Sequence, residues 1–437
     1  MKTFKLWFTL LIVAFTQAVV ADDLMVIYQQ ALQADPQTKS AETKIEIGAA
    51  RKGQAFGQML PQINATGNWS RIRSAQGKNH STVSHYPGTR YNVSLNQTLI
   101  DFEKFWAWRQ ASSVENQYAS EAIEAHNALM FNVVDRYFSE LEAEDQLEFI
   151  KAEKMSVQKQ LEQVQKLFAK QLVKVTDLYA LEAQSDQVAA EEILAESKRV
   201  TAQEALRELT GSSTPRLSKL KNNINYPELE GDLQQWLEVA QSQNPAISAK
   251  QKAIQASEDN VTARKSKYLP TVELQLSWFD TNTGYQSSNL GSGIRTGVAA
   301  INVDVPLFSG GTTTHQVIEA RHSLEISKNE NEAAVRAIIK ETSDAFLSAN
   351  ADSRHIKAAQ KALESAAKSR EAMERSYHFK LVSISDVIKA QQTEFSAKRD
   401  LAQAKYNYIK NRVRFVRALG LIAEENLEEI NDWLEKP

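Results

Sequence analysis

Residues 381–391 read LVSISDVIKAQ, and residues 172–184 read LVKVTDLYALEAQ. Both place Leu-Val, two further residues and Ser/Thr-Asp between long runs of helix-forming sequence. The two lie 209 residues apart (381 − 172). The same offset links Asp35-Pro36 to Asn244-Pro245, Leu60-Pro61 to Leu269-Pro270, and Gly211 to Gly420. One offset across half the chain marks a tandem duplication of a unit of roughly 200 residues, and such repeats decide a fold before any local reading does.

Each copy has the same layout. A short helix starts at Pro36 or Pro245, where a proline at the first helical turn loses no hydrogen bond. It stops before Leu60-Pro61 or Leu269-Pro270. Two strands follow, expected over 62–73 and 90–100 in the first copy and over 270–280 and 295–306 in the second. In YNVSLNQTL (91–99), Tyr91, Val93, Leu95 and Leu99 alternate with Asn92, Ser94, Asn96 and Thr98. In VELQLSW (272–278), Val272, Leu274, Leu276 and Trp278 alternate with Glu273, Gln275 and Ser277. That is the period of a strand with one apolar and one polar face. The stretches 74–90 and 280–294, rich in Ser, Gly, Asn and His, read as flexible connections.

Next come runs free of Pro and Gly, from Lys104 to Phe168 and from Thr312 to Phe379. As helices each reaches roughly 100 Å. In the first, Val114, Tyr118, Ala122, Ala125, Leu129, Val133, Tyr137 and Leu141 form one apolar stripe. The second is rich in alanine, which lets helices approach closely. Shorter helices return over about 176–210 and 385–419, so the Leu-Val-x-x-Ser/Thr-Asp stretches are the turns of two long hairpins, 103–210 and 311–419. Thr176 and Ser385, or Ser383 in another register, are the candidate N-caps of the returning helices. Asp177 and Asp386 then fall in the first turn, where the helix dipole favours a carboxylate.

Composition narrows the function. Lys2 and Lys5 precede an apolar run from Leu6 to Phe15, and Val19-Val20-Ala21 offers small residues before Asp22. Residues 1–21 therefore read as a secretory signal peptide. No later run is long and apolar enough for a membrane helix, so a membrane contact has to be made by strands. The strands have the length that crosses a bilayer when tilted. Trp69, Tyr86, Tyr91 and Trp278 cluster toward the connections, and Phe102, Phe105, Trp106, Trp108 and Phe308 toward the other end, as interfacial girdles do. Four strands cannot close a membrane barrel, so several chains must share one. The net charge of −3 implies no nucleic-acid partner. With no cysteine in the sequence, disulfides, thiolate metal sites and lipid attachment through an N-terminal Cys are all excluded. His315 and His322 share a helix face but stand too far apart for one metal, and His80 and His85 are assigned to a connection. No Ser/His/Asp constellation or phosphate-binding loop is present. No enzyme activity, cofactor or metal is expected.

Taken in order, the duplicated layout, the Leu-Pro before each first strand, Val-Pro-Leu-Phe-Ser-Gly-Gly at 305–311 and the two Asp-bearing turns resemble the TolC family of outer-membrane channel-tunnels across essentially the whole mature chain. The resemblance implies a mainly α protein with a membrane β-barrel, in which a homotrimer gives twelve strands and a helical wall through the periplasm. Repeat 1 spans 22–211 and repeat 2 spans 244–420. Residues 212–243 and 421–437 form an equatorial band. It further implies a periplasmic adaptor, an inner-membrane ABC or RND-type transporter, outer-membrane lipid around the barrel, and drugs or proteins as cargo. Leu172, Val173, Leu381 and Val382 are then adaptor-contacting tips. In the family, acidic residues on the second returning helix line the entrance, and Asp386 matches the first such position. The second position is Lys389 here, which weakens a purely acidic ring, and Asp177 is the counterpart in the first copy. All three remain open to a plainer duty of capping and solvating the helix. The glycine usual before these turns is replaced by Gln171 and Lys380. Two other readings are a periplasmic coiled-coil adaptor, which would carry one hairpin between compact β domains, and a structural envelope protein without channel activity.

Overall fold

The computed structural model describes residues 22–76, 82–212, 216–282 and 293–435. The expected leader at 1–21 lies outside the described residues, as does His80. In chain order the elements are α1 (Leu24–Ala34), α2 (Pro36–Gly57), β1 (Gln62–Gln76), β2 (Thr82–Ile100), α3 (Phe102–Ala169), α4 (Val175–Thr210), α5 (Leu233–Gln243), α6 (Pro245–Ser266), β3 (Thr271–Asn282), β4 (Ile294–Asp304), α7 (Thr312–His378), α8 (Ile384–Leu419) and α9 (Glu424–Asn431). The fold is mostly helical with one four-stranded sheet, and its two halves repeat. The starts of α2 and α6 (245 − 36), α4 and α8 (384 − 175) and β1 and β3 (271 − 62) differ by the same 209 residues, with a drift of one to three residues at α3/α7 and β2/β4. That offset also exposes a helix the sequence reading passed over. α1 is the first-copy partner of α5 (233 − 24 = 209).

The chain divides into two compact units. The first holds segments 37–125 and 241–339. Its sheet is antiparallel throughout, in the order β1-β2-β3-β4. β1 and β2 run further than expected, pairing from Gln62↔Asn96 out to Gln76↔Thr82. Much of 74–90, expected as a loop, is therefore strand, and His85 sits within β2 opposite Arg73. The apolar alternation stops near residue 70 because Arg and His replace apolar side chains there. The backbone ladder continues regardless, since pairing needs only the N–H and C=O groups. At the helix end the sheet is fastened by Gln97, whose Nε2 donates to the Met59 carbonyl at 2.8 Å. α2 lies against α3 through Lys52 and Glu115 at 2.8 Å. α6 lies against α3 through Ser113, whose Oγ donates to buried Asp259 at 2.9 Å. Of the expected aromatic girdle at this end, Phe105 contacts both Trp106 and Trp108, Phe56 joins through Trp108, and the Arg109 guanidinium lies over the Trp106 ring.

The second unit holds segments 126–240 and 340–437 with the chain up to Pro36. Its core gathers Leu24, Ile27 and Ala31 of α1, Leu129, Val133, Tyr137 and Leu141 of α3, Leu206 of α4, Tyr408, Ile409 and Val413 of α8, and Leu427 and Ile430 of α9. The part of the α3 stripe from Leu129 to Leu141 thus becomes core, while Val114, Tyr118, Ala122 and Ala125 belong to the first unit. The segment after α4 and the chain terminus are tied together by their backbones. Lys221 N–H donates to the Trp433 carbonyl at 2.9 Å, and Glu435 N–H to that of Lys219 at 2.8 Å. Tyr408 and Trp433 stack across this junction, and Tyr226 meets both rings edge to face. α4 ends at Gly211 and α8 at Gly420, both with positive φ, the conformation glycine takes without a steric cost.

Candidate functional site

Two places carry chemistry, one in each unit. In the first unit the strand register sorts side chains onto two faces. One face has the rows Ile63-Leu95-Leu276-Ala299 and Ala65-Val93-Trp278-Gly297. The opposite face has the rows Asn64-Ser94-Ser277-Val298 and Thr66-Asn92-Phe279-Thr296. The apolar face is open, with Ile63 69%, Ile301 66% and Val303 62% exposed. An apolar sheet face of this extent needs a nonaqueous partner. On the polar face Asn302 Nδ2 donates to Gln275 Oε1 at 3.0 Å. Phe279, Val298 and Ala300 interrupt that face and Arg90, Glu273 and Asp304 add charge to it, but it is predominantly polar, as a wet lumen requires.

In the second unit the two hairpin turns meet. Val157 and Val164 of α3, Leu181 of α4, and Ile384, Val387 and Ile388 of α8 form one buried cluster. Leu161, Val173, Leu178, Met373, Tyr377 and Val382 pack against it. The sequence-derived tip residues therefore split by role. Val173 and Val382 turn inward onto the cluster. Leu172 and Leu381 point outward, 60% and 77% exposed.

Gln171 and Lys380 adopt φ of 58° and 59°, the left-handed region. The helix ends thus keep the geometry a glycine would serve. Leu172 N–H donates to the Leu167 carbonyl at 2.9 Å and Gln171 N–H to that of Phe168 at 2.8 Å. Leu381 and Lys380 repeat this onto Ser376 and Tyr377, at 3.0 and 2.9 Å. Both are Schellman ends, which satisfy carbonyls that the helix leaves open. A side chain held in this region costs about 1 kcal/mol. Replacing Gln171 and Lys380 by Gly is expected to stabilise each turn by up to about 1 kcal/mol. Hydrogen exchange at the Leu172 and Leu381 amides reports it, and faster exchange contradicts it.

The caps follow the alternative register in α8 and neither candidate in α4. α4 starts at Val175 and α8 at Ile384, so Thr176 and Ser385 are second helical residues and not caps. Ser383 is the N-cap of α8. Its N–H and Oγ donate to Asp386 Oδ2 at 3.0 and 2.7 Å, while Asp386 N–H donates back to Ser383 Oγ at 3.3 Å. This capping box satisfies two otherwise orphaned groups. It also holds the Asp386 carboxyl below the usual carboxylate range, chiefly through the Ser383 hydroxyl, then the Ser383 N–H, with the charge of Lys389 adding. Asp386 therefore stays ionised. Its carboxylate is engaged with Ser383, and Lys389 acts on it as a neighbouring charge. Lys174, the counterpart of Ser383, makes no side-chain cap bond, so the two turns share a backbone but not a cap. Asp177 N–H donates to the Lys174 carbonyl at 3.1 Å.

The sequence reading missed Tyr377. Burial raises its phenol, and the nearby charge of Asp177 raises it further. The charge of the first-copy tip acid thus reaches a second-copy tyrosine. The offset pairs Tyr377 with Phe168 (377 − 168 = 209), so the added hydroxyl is the one clue the sequence held. Further up the hairpins, Gln392 donates to Gln184 Oε1 at 2.6 Å, and Arg370 binds Glu374 and Glu394.

The family model described as outer membrane efflux protein matches residues 27–212 and again 236–421. The chain belongs to this family. The two matches start 209 residues apart (236 − 27), the offset carried by the turns. Outer membrane protein TolC of Vibrio cholerae is 29% identical over 423 residues, covering 96% of this chain and 95% of that protein. Alkaline protease secretion protein AprF of Pseudomonas aeruginosa is 25% identical, covering 92% of this chain and 85% of its own. The crystal structure of the Campylobacter jejuni CmeC outer membrane channel matches with a TM-score of 0.81 at 18% identity, over 94% of this chain and 90% of that one. At that identity the last likeness is one of fold. The family member described here is an outer-membrane efflux or secretion channel.

Proposed function

We propose that three copies of this chain form the outer-membrane conduit of a tripartite export system. The two-faced sheet carries this reading. β1 and β4 are the sheet's edges, and an unpaired edge is untenable in hydrocarbon. Pairing β1 of one copy with β4 of the next closes twelve strands, with amides and hydroxyls lining the lumen. The hairpin turns at 168–178 and 378–388 form the periplasmic mouth. Their exposed Leu172 and Leu381 dock a periplasmic adaptor, with Val173 and Val382 setting their angle from the cluster beneath. Residues 212–243 and 421–437 make the equatorial band, supported by the hydrogen bonds between 219–221 and 433–435. The energy comes from an inner-membrane ABC or RND-type transporter, and the channel itself performs no catalysis. The name of AprF supports secreted protein as one cargo class, beside drugs.

Under threefold symmetry Asp386 makes a ring of ionised carboxylates at the mouth, a site for cations. Asp177 and Lys389 flank it. Single-channel recording tests both layers. The detergent-purified protein is expected to insert as a trimer with discrete conductance, and a monomer extracted without detergent contradicts the channel. Asp386→Asn keeps an acceptor for Ser383 and removes the charge. It is expected to raise the divalent-cation concentration for half-block by about tenfold or more. An unchanged block ends the gate assignment and leaves Asp386 as a cap.

A further inference from the structure

Among the described residues, β1–β2 pairing continues beyond the last β2–β3 pair. The last β2–β3 pair is Thr89↔Asn282, whereas β1–β2 pairing continues through Arg71↔Pro87 and Arg73↔His85 to Gln76↔Thr82. Register fixes which face each side chain joins. Ile63, Ala65, Trp69, Arg71 and Arg73 lie on one face of β1, with Leu95, Val93, Tyr91 and His85 on the same face of β2. This is the apolar, lipid-facing side. It ends in an aromatic pair, Trp69 and Tyr91, edge to face at 5.8 Å, with Trp69 Nε1 donating to the Tyr91 hydroxyl at 3.1 Å. Arg71 and Arg73 then follow on the same face within roughly 13 Å of strand. Both are exposed, as is His85.

The sign of charge along this face is uniform past the aromatic pair. No Asp or Glu occurs between Glu46 and Asp101. On this face Asp280 stands in the Tyr91 row and is paired with Arg295 at 3.1 Å. The helix end of the sheet is mixed in charge, with Asp101 paired with Lys104 and Glu103 with Arg264 and Lys267. Aliphatic side chains, then a hydrogen-bonded Trp–Tyr pair, then arginines form the order in which a lipid presents acyl chain, interface and headgroup. Arginine forks match phosphate geometry in particular.

We infer that Arg71 and Arg73, with His85 beside them, bind the phosphate groups of anionic lipid in the outer leaflet, so that the outward face of the β1–β2 hairpin is a headgroup site continuous with the lipid-facing band. The inference rests on the barrel reading proposed above. Its occupant is lipid-borne phosphate, because the arginines continue a face already committed to acyl chains.

The test uses the full-length trimer in nanodiscs containing either a bisphosphorylated lipid A or the same glycolipid stripped of its phosphates. Native mass spectrometry counts retained lipid, and conductance is recorded on the same preparations. The wild-type trimer is expected to retain the bisphosphorylated form at least about tenfold more strongly than the stripped form. R71E/R73E is expected to abolish that preference with the trimer and its conductance intact. Arg71→Lys/Arg73→Lys is expected to keep part of it, since charge remains without the fork. Equal retention of the two lipids by the wild type, or an undiminished preference in R71E/R73E, overturns the inference and leaves the channel reading standing. Competition by millimolar inorganic phosphate as effective as by lipid also overturns it, by showing a site for free anion. Failure of the wild type to form a conducting trimer removes the barrel reading and the headgroup site together.

Discussion

Replacing Arg399 by Met is expected to destabilise the protein by about 3–5 kcal/mol at neutral pH. Arg399 Nη1 of α8 donates to Glu153 Oε2 of α3 at 2.9 Å, and Glu153 is only 3% exposed. Burial pushes the Glu153 carboxyl above its ordinary range. The hydrogen bond and charge of Arg399 oppose that rise, and the charge of Glu191 adds to it. Methionine fills a similar volume but leaves the carboxylate buried without a counter-charge, which costs more than the pair itself was worth. The loss has a definite pH dependence. Without Arg399 the folded-state pKa of Glu153 rises further above its unfolded value. A carboxyl raised on folding contributes stability below the unfolded pKa, and that contribution is lost as pH rises through the folded value. The penalty should therefore be greatest above neutrality and shrink toward about pH 4.5. Denaturant midpoints at several pH values measure it. The pair E153Q/R399M should recover most of the loss, because no buried charge remains. A penalty independent of pH, or unrelieved by Glu153→Gln, would mean that Arg399 acts through packing alone.

Much of this architecture is legible in the sequence because duplication reports it twice. Pro36 and Pro245, Leu60-Pro61 and Leu269-Pro270, and the two Leu-Val turns each stand as a signal and its repeat, so a chance match in one copy is checked by the other. The long helices follow from the absence of Pro and Gly, which breaks in the structure near the expected residues. Elements set by tertiary context were harder to read. β1 and β2 continue beyond residue 73 and before residue 90 on backbone pairing, after the side-chain alternation has changed from apolar to basic. α9 is short and draws its order from Leu427 and Ile430 in the core. At the tip, the sequence located the turn and both acids but not their partners. Thr176 and Ser385 are the first candidate caps on paper, with Ser383 as the alternative register for α8. Whether Ser383 or Ser385 serves depends on a start of α8 that differs by two residues. The charge of Asp177 reaches Tyr377 only because hairpins from separate repeats converge, and no local pattern encodes that approach.

That convergence makes Leu181 the residue whose loss should most alter the mouth. Leu181 is fully buried, and it lies with Val157 and Val164 of α3 and with Ile384, Val387 and Ile388 of α8 in the cluster joining the two hairpin ends. Leu181→Ala removes buried methyl groups and leaves a cavity where few neighbours can close in, at a cost of about 2–5 kcal/mol. Tip segments lie at the ends of long hairpins, so the cost should fall on local association rather than on the core around Tyr137. A loss of about 3 kcal/mol shifts the balance between joined and parted tips by roughly a hundredfold. Two readouts separate structure from function. Amide exchange should quicken over residues 157–181 and 384–392 and stay unchanged around Tyr137 and Tyr408. Single-channel recordings should show a larger conductance or a longer open time. Leu181→Met conserves volume and should do neither. Quickened exchange with unchanged conductance would show that the cluster joins the hairpins without narrowing a pore. Unchanged exchange would show that the hairpins are held together by polar contacts, Gln392 to Gln184 and Arg399 to Glu153, which cross-link the same helices further from the turns.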